Sequence, residues 1–430
     1  MKINLSFSSF LSIWMASAVL YQFGYSFYLS SQIASLLIQS FVLVFFAFSI
    51  KSVKSQRVDR HLFILLVLYA AYCAISITFH SVLDKNILVL FLGFLDNNKF
   101  VLVLMTALLL NGNSFILDEF GYRVLNILYI FIVFSVLFGV VQQLLPQLIY
   151  IFPSSVDFAE IYRYGLLRVP SIFGSINAFS KIGFLLIPLG YLLKKDMKFA
   201  IGFALLSFVL AFSRQFLVGI FVSLIIASLQ SGFFVKKKFG KFVGIGVCFV
   251  ILLTVISSLG QDDARNSKHD GKFFEIPKTF IRGAVAITSL KAANDNPLFG
   301  VGYGYFGGNI GKKFGLNQEL ENYGMMELIP FFDLTGVYYT DTLWPQLLGE
   351  SGYLGAFFYL MIFYFWYRKI KSQPNQVSRL VCFFCINQFL FNGVAGPVFN
   401  FTYFSIPILF CTLFIVNYHE SPSNNKYVPQ

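Results

Sequence analysis

Four arginines stand out because apolar segments surround them, whereas most of the positive charge lies in short basic loops. They are Arg163, Arg168, Arg214 and Arg282. A guanidinium stays charged and matches phosphate oxygens with two parallel hydrogen bonds. Arg214 is the clearest case, because a charge in a very short turn between two apolar helices must find an anion. We therefore predict that Arg214 binds a ligand phosphate together with the other arginines. The alternative is that its side chain extends to the lipid headgroups or pairs with a structural carboxylate.

Two carboxylates flank the beginning of an apolar run near the C-terminal end. Asp341 lies at the expected membrane interface, where a carboxylate can orient or deprotonate a hydroxyl. Glu350 lies about two turns further into the run, where an unpaired carboxylate is costly. We therefore expect Glu350 to have a buried partner such as an arginine, in a structural role.

A second polar patch follows Arg168. Asn177 and Lys181 are four residues apart, so they share one face at the outer end of a predicted helix. A binding role and an ordinary surface role are both open for this patch. Arg282 by itself is more typical of an ordinary surface arginine than of a site residue.

Two other patterns do not predict the chemistry that they first suggest. Gly302-x-Gly304-x-x-Gly307 matches a dinucleotide fingerprint, but no strand and helix flank it. It predicts instead a flexible or tightly turning backbone, with a plain turn favoured over a phosphate nest. The four histidines are scattered without metal-ligand spacing, so no metal or other cofactor is expected.

These side chains must be positioned by helices that cross a membrane. The chain is 57% hydrophobic and only 12% charged, with a mean hydropathy of +0.72. Apolar runs near 20 residues long recur throughout, which is typical of membrane helices. The net charge of +12 does not indicate nucleic-acid binding, because the basic residues are spread over short loops. The sequence therefore predicts an all-α polytopic protein in a lipid bilayer.

The hydropathy pattern predicts about twelve spans. They are residues 5–23, 29–50, 61–80, part of 87–110, 122–145, 172–193, 199–212, 216–229, 242–259, 343–367, 380–391 and 399–416. The chain thus divides into an N-terminal bundle (1–260), a long loop (261–341), and C-terminal helices with a tail (342–430). The long loop holds ten of the 20 acidic residues and eight of the 32 Lys and Arg. Since positive loops stay inside, we expect cytoplasmic termini and a long loop on the outer face.

Several segments together resemble one family, the O-antigen polymerase and O-antigen ligase superfamily of bacterial envelope glycosyltransferases. The resemblance covers roughly the stretch from Arg168 to Arg368 and rests on the order and spacing of its motifs. The matching segments are Arg168 with Pro170–Asn177, Ser213-Arg214, Arg282 followed by Asn296-Pro-Leu-Phe-Gly-Val-Gly302, and Leu348-Gly-Glu-Ser-Gly-Tyr-Leu-Gly355.

The resemblance implies a GT-C-like helical fold in the bacterial inner membrane, with the long loop in the periplasm. It implies undecaprenyl-diphosphate-linked oligosaccharides as substrates, and a chain-length regulator and a flippase as partners. In that setting Arg214 and Arg282 would stabilise the leaving diphosphate and Arg168 would assist them. Asp341 is the candidate base. The substrate-binding group would comprise Arg163, Arg168, Asn177, Lys181 and Glu350.

One departure from the family bears on the reaction. Ligases of this family carry a histidine shortly before the helix with the glycine motif, whereas this chain has Tyr339-Thr-Asp341-Thr there. This favours a polymerase over a ligase and leaves the base open. A flippase or exporter of lipid-linked sugars is the alternative from another class. It predicts charges in the middle of the membrane and often internal repeats, but the charges here gather at the expected outer face and no repeat is visible.

Overall fold

The protein is described here from a computed structural model. The structure describes residues 6–25, 60–109, 117–151, 162–163, 166–211, 214–232, 281–307, 309–314, 318–324, 343–395 and 402–418. The predicted spans 29–50 and 242–259, most of the long loop and Asp341 lie outside these ranges.

Within the described residues the chain is almost entirely helical. Its helices are α1 (Phe7–Tyr25), α2 (Arg60–Val82), α3 (Ile87–Leu109), α4 (Glu119–Leu144), α5 (Ile176–Phe184), α6 (Leu186–Leu192), α7 (Met197–Ala211), α8 (Arg214–Ser231), α9 (Ile281–Asp295), α10 (Asn309–Phe314), α11 (Gln318–Asn322), α12 (Leu343–Lys371), α13 (Gln376–Ala395) and α14 (Thr402–Tyr418). Short 3-10 helices cover Pro146–Ile151 and Ser171–Phe173, and β1 (Tyr162–Arg163) pairs antiparallel with β2 (Leu166–Leu167).

Among the described residues, four helices are long and apolar enough to cross a membrane. They are α2, residues 87–105 of α3, α4 and α12; shorter apolar helices cover residues 176–192, α7, 218–231 and 404–417. The outward face of α2 exposes Phe63, Val67, Leu68 and Ile75. Such a face is unfavourable in water and suits a lipid environment. The coarse prediction of an all-helical architecture of membrane type is thus confirmed for the described residues.

The predicted span 172–193 is not one helix. It consists of a 3-10 turn, then α5, and then α6, with a break at Leu185. Pro188 has no N–H to donate to the carbonyl of Phe184, so a continuous α-helix would lose a hydrogen bond here. Beside the break, a Cβ added to Gly183 would lie 2.0 Å from the Ser207 hydroxyl, so α5 packs very closely on α7.

Polar contacts join several helix ends at one end of the bundle. Tyr122 at the beginning of α4 donates to the carbonyl of Leu193, just after α6 (3.4 Å). The hydroxyls of Tyr191 and Ser378 lie 2.8 Å apart, which joins α6 to the beginning of α13. Arg379 in turn donates to the carbonyl of Ser231 at the end of α8 (3.4 Å). The basic residues 194, 195, 198, 368, 369, 371 and 379 lie at these helix ends, so we call this the basic end.

Asp118 joins α1 to α4 at the basic end. Its carboxylate accepts hydrogen bonds from Ser6 and Ser9 (2.5 Å each) and caps α4 through the N–H of Gly121 (2.8 Å). Partial burial raises the pKa of Asp118, but these hydrogen bonds outweigh it and hold the pKa below its usual value. Because the folded protein favours the ionised form, Asp118 stabilises it above the ordinary pKa of an aspartate. That contribution is lost as the pH falls through the lowered value.

Asp118→Ala is expected to destabilise the protein by about 1–2 kcal/mol, the usual effect of losing a helix N-cap. The measurement is the thermal unfolding midpoint of the detergent-solubilised protein at neutral and acidic pH. The difference between wild type and variant should shrink as the pH falls from about 4, the ordinary pKa of an aspartate, through the lowered pKa of Asp118. Glu119→Gln, which changes the neighbouring exposed carboxylate, is the control. An equal difference between Asp118→Ala and wild type at every pH would contradict the role assigned to the charge.

Candidate functional site

Two of the predicted arginine positions meet at the opposite end of the bundle. Arg168 is 6% exposed, and its Nε donates to the carbonyl of Ala211, the last residue of α7 (3.1 Å). The N–H of Val169 donates to the carbonyl of Leu210 (3.1 Å). Since α8 begins at Arg214, three residues after Ala211, Arg168 is held beside the beginning of that helix.

The beginning of α12 lies at this same end. A Cβ added to Gly219 in α8 would lie 2.5 Å from the ring of Phe391 in α13. A Cβ added to Gly393, two residues later, would lie 3.0 Å from Leu343, the first residue of α12. The first turns of α8 and α12 therefore both pack against the end of α13. We call this the site end.

The other predicted site residues have the following places. Arg163 lies in β1, paired with Leu166, and Arg282 is the second residue of α9, which packs along α12. Asn177 is exposed on the first turn of α5, and Lys181, one turn later, is 7% exposed. The structure thus joins Arg168 to the end of α7, beside the beginning of α8.

A break in α12 opens a docking place for the loop before it. Gly352 interrupts the helix with φ 64° and ψ −170°. In an unbroken helix, the N–H groups of residues 353 and 354 would donate to the carbonyls of Gly349 and Glu350. Here these carbonyls accept instead from Val301 (2.9 Å) and Gly302 (3.1 Å).

The loop also satisfies the N–H groups that the break leaves free. The carbonyl of Pro297 accepts from Tyr353 (2.9 Å) and Leu354 (3.4 Å). The backbone groups on both sides of the break are therefore paired with the loop, as buried backbone groups require. The two segments that meet here, 296–302 and 348–355, both belong to the family resemblance.

The loop turns tightly through its glycines. Gly300, Gly302, Gly304 and Gly307 have φ of 61°, 95°, 80° and 71°, which confirms the predicted turning backbone. A Cβ added to Gly93 of α3 would lie 2.4 Å from the N–H nitrogen of Gly304, so helix and loop backbone are in direct contact.

Lys85, in the turn between α2 and α3, holds the loop from the other side. Its ammonium donates to the carbonyl of Val301 (2.5 Å), pairs with Glu319 (2.6 Å) and lies 4.7 Å from the ring centre of Tyr305. Asn86 adds a backbone hydrogen bond to the Tyr305 hydroxyl (2.8 Å). The loop is thus fixed between the α2–α3 turn and the broken helix.

Glu350 lies directly beneath this loop and is 1% exposed. Its carboxylate accepts from the side chain of Asn97 in α3, from Gln346 (3.3 Å), and from the backbone of Gly304. A buried partner was expected, and the structure provides one. Within the described residues, however, the partners are amides and a backbone N–H rather than an arginine.

Asn97 belongs to a polar run that the sequence reasoning missed. Asp96, Asn97, Asn98 and Lys99 follow one another inside the apolar helix α3. Lys99 pairs with Asp96 (2.8 Å), with both side chains about one-tenth exposed. Asn98 accepts from the hydroxyls of Tyr69 and Tyr359. An ion pair therefore lies inside a helix that is long and apolar enough to cross a membrane, in addition to the charges that are expected at the outer face.

Chemically, the site end combines a buried guanidinium, a second arginine position at a helix beginning, a rigid glycine loop and a buried carboxylate. Cations suit the oxygens of a phosphate group, and backbone N–H groups at a helix beginning favour an anion as well. Within the part of the chain that the structure describes, no three His, Cys, Asp or Glu side chains cluster as metal ligands do.

Searches with protein-family models and against curated proteins found no match to this chain.

Proposed function

We propose that the protein is a membrane glycosyltransferase, an O-antigen or related polysaccharide polymerase of the bacterial inner membrane. It joins undecaprenyl-diphosphate-linked oligosaccharide units at the periplasmic face. The proposal includes about twelve spans, cytoplasmic termini and a periplasmic long loop, as positive-inside bias predicts. The site end then faces the periplasm, and the basic end faces the cytoplasm.

The observation that carries the proposal is the packing of Arg168 against the end of α7, beside the beginning of α8 at Arg214. This brings two residues that match phosphate chemistry to one place, on the end of the bundle opposite the basic loops. The contact between segments 296–302 and 348–355 adds support, because the family resemblance rests on both.

The proposed reaction breaks the bond between the anomeric carbon of the growing glycan and its diphosphate carrier. A hydroxyl oxygen of the incoming unit forms the new glycosidic bond and releases its proton. Arg214 and Arg282 stabilise the charge that develops on the departing diphosphate, and Arg168 assists. Such a positioned donor typically accelerates a reaction by about 10²- to 10³-fold. Asp341 is the proposed proton acceptor.

The test is the lipopolysaccharide banding pattern of a gene-deletion strain. A single band of core plus one unit is expected, and the wild-type gene should restore the ladder. Arg214→Ala and Arg282→Ala should not restore it at equal protein levels in the membrane. Lys198→Ala, which changes an exposed lysine at the basic end, is the control and should restore it. An unchanged ladder in the deletion strain would overturn the proposal.

A transporter of lipid-linked sugars is the second candidate, because the Asp96–Lys99 pair lies inside an apolar helix, as charges on a transport path do. The polymerase is favoured, because Asp96 and Lys99 pair with each other within one turn of the helix. A bare core in the deletion strain would indicate a transporter or a ligase. Lipid-linked glycan accumulating on the cytoplasmic face would then identify the transporter, and accumulation on the periplasmic face the ligase.

A further inference from the structure

A polar cleft lies beside the glycine loop, outside the arginine site. Its volume is about 340 Å³, within the range of about 300–1,000 Å³ that is usual for small-molecule sites. It is lined by Lys291, Asn294, Asp295, Asn322, Tyr323 and Gly324. These residues come from the last turns of α9 and from α11 and its end, so two separate segments of the long loop form it.

Hydrogen bonds fix two walls of the cleft. Asn294 accepts from the Tyr353 hydroxyl, just after the break in α12 (2.6 Å). Asn296 donates to the hydroxyl of Tyr323 (2.8 Å). Burial, together with nearby Glu319, raises the pKa of Tyr323, so its phenol stays protonated. The cleft is therefore tied to the loop that docks on the broken helix.

The charged groups of the cleft are available to a ligand. Lys291 and Asp295 are four residues apart on one face of α9, yet no ion pair or hydrogen bond to the described part of the chain engages either side chain. One cation and one carboxylate cancel in charge, which disfavours a phosphate or a metal ion. Two amides, a carboxylate and an ammonium supply both donors and acceptors.

This combination suits a sugar ring. Each sugar hydroxyl both donates and accepts, so it pairs with amides and carboxylates. The C–H groups of a pyranose face form an apolar patch that an aromatic ring such as Tyr323 can cover. We propose that the cleft is a carbohydrate subsite that holds one sugar residue of the lipid-linked glycan. This assignment rests on the proposed function, and it places a glycan contact next to the loop and the broken helix.

The test uses full-length protein in lipid nanodiscs and oligosaccharides released by mild acid from the surface polysaccharide of the source strain. Binding is followed by titration with saturation-transfer NMR. Asp295→Ala and Lys291→Ala should each weaken binding by about tenfold, as expected for a lost hydrogen bond to a charged group. Tyr323→Ala should lose the saturation transfer to the ring protons of the sugar, whereas Tyr323→Phe should keep it.

Matched controls are Asp84→Asn, at an exposed turn outside the cleft, and Lys198→Ala, at the basic end; both should bind like wild type. Wild-type affinity in the Asp295 and Lys291 variants would overturn the subsite. The deletion strain distinguishes this failure from that of the polymerase. If the deletion strain loses the ladder and the cleft variants still bind the oligosaccharides like wild type, only the subsite is rejected. An intact ladder with binding lost in the cleft variants rejects the polymerase and retains a sugar site.

Discussion

Gly352→Ala is expected to leave little correctly folded protein in the membrane. Residue 352 has φ 64° and ψ −170°, a region of backbone conformation that is essentially restricted to glycine. A Cβ there would also lie 2.7 Å from the carbonyl oxygen of Pro297, 2.8 Å from that of Asn296 and 2.8 Å from the N–H nitrogen of Gly300. These backbone atoms hold the loop in place, so they cannot move aside without losing its hydrogen bonds.

The expected cost is about 3 kcal/mol or more, because backbone strain of about 1–3 kcal/mol adds to the steric clash. The measurement is the amount and thermal midpoint of the protein by fluorescence-detected size-exclusion chromatography. Gly202→Ala is the matched control, since a Cβ at Gly202 in α7 meets no atom within 4 Å. That control should be neutral or slightly stabilising. Equal midpoints for Gly352→Ala and wild type would show that the loop does not dock on α12 in this way.

The helices themselves could largely be read from the sequence. The run 343–367 was predicted and α12 covers Leu343–Lys371, while the run 122–145 corresponds to Glu119–Leu144. This works because an apolar run of sufficient length favours a helix locally, whatever the rest of the chain does. The sequence also contains a signal for the break at Leu185, because Pro188 lies four residues after Phe184, although the hydropathy pattern predicted one span there.

The break at Gly352 was not readable from local pattern. The polar residues Glu350 and Ser351 interrupt the apolar run beside Gly352, but they do not by themselves indicate a break in the helix. The backbone groups at the break are satisfied by residues 297–302, about fifty positions earlier in the chain. A pairing between distant backbone segments leaves no periodic signal in either one. The sequence identified both segments as motifs, but it could not indicate that one completes the hydrogen bonds of the other.

The sequence indicates which residue types belong to the candidate site, but it does not indicate which of them contact one another. Arg168 is buried, but its described hydrogen bond goes to a backbone carbonyl, so the anion partner that the sequence suggests for these arginines stays a prediction. The contact of Arg168 with the end of α7 depends on how the helices pack. The polar run at residues 96–99 gave a readable signal that was overlooked, because four consecutive polar residues inside an apolar span are costly unless they are paired. That run supplies Asn97, one of the hydrogen-bond partners of Glu350.

Glu350→Ala is the second change expected to have a large effect. It would leave the side chain of Asn97 and the backbone N–H of Gly304 without this acceptor, and it would remove one of the two acceptors of Gln346, which also donates to the Asn97 oxygen (2.9 Å). An unpaired buried donor costs about 1–3 kcal/mol, so losing the acceptor of several donors is expected to cost about 3–5 kcal/mol in total. Glu350→Gln keeps the shape and one acceptor oxygen, so its cost should be smaller, about 1–3 kcal/mol.

The order of the thermal midpoints is therefore the informative result. The midpoint is expected to be highest for wild type, lower for Glu350→Gln and lowest for Glu350→Ala. Glu119→Ala, at an exposed carboxylate of the basic end, should stay near wild type. If Glu350→Ala matched that control, the carboxylate would not bind α3, α12 and the glycine loop together. The thermal midpoints also compare the two networks. If Glu350→Ala had a lower midpoint than Glu350→Gln while Asp118→Ala stayed close to wild type, the network around Glu350 would contribute more to stability than the network around Asp118. The same carboxylate lies under the loop that completes the broken helix. If the protein has the proposed polymerase function, losing this carboxylate should therefore also lower polymer formation at equal protein levels, through the position of that loop.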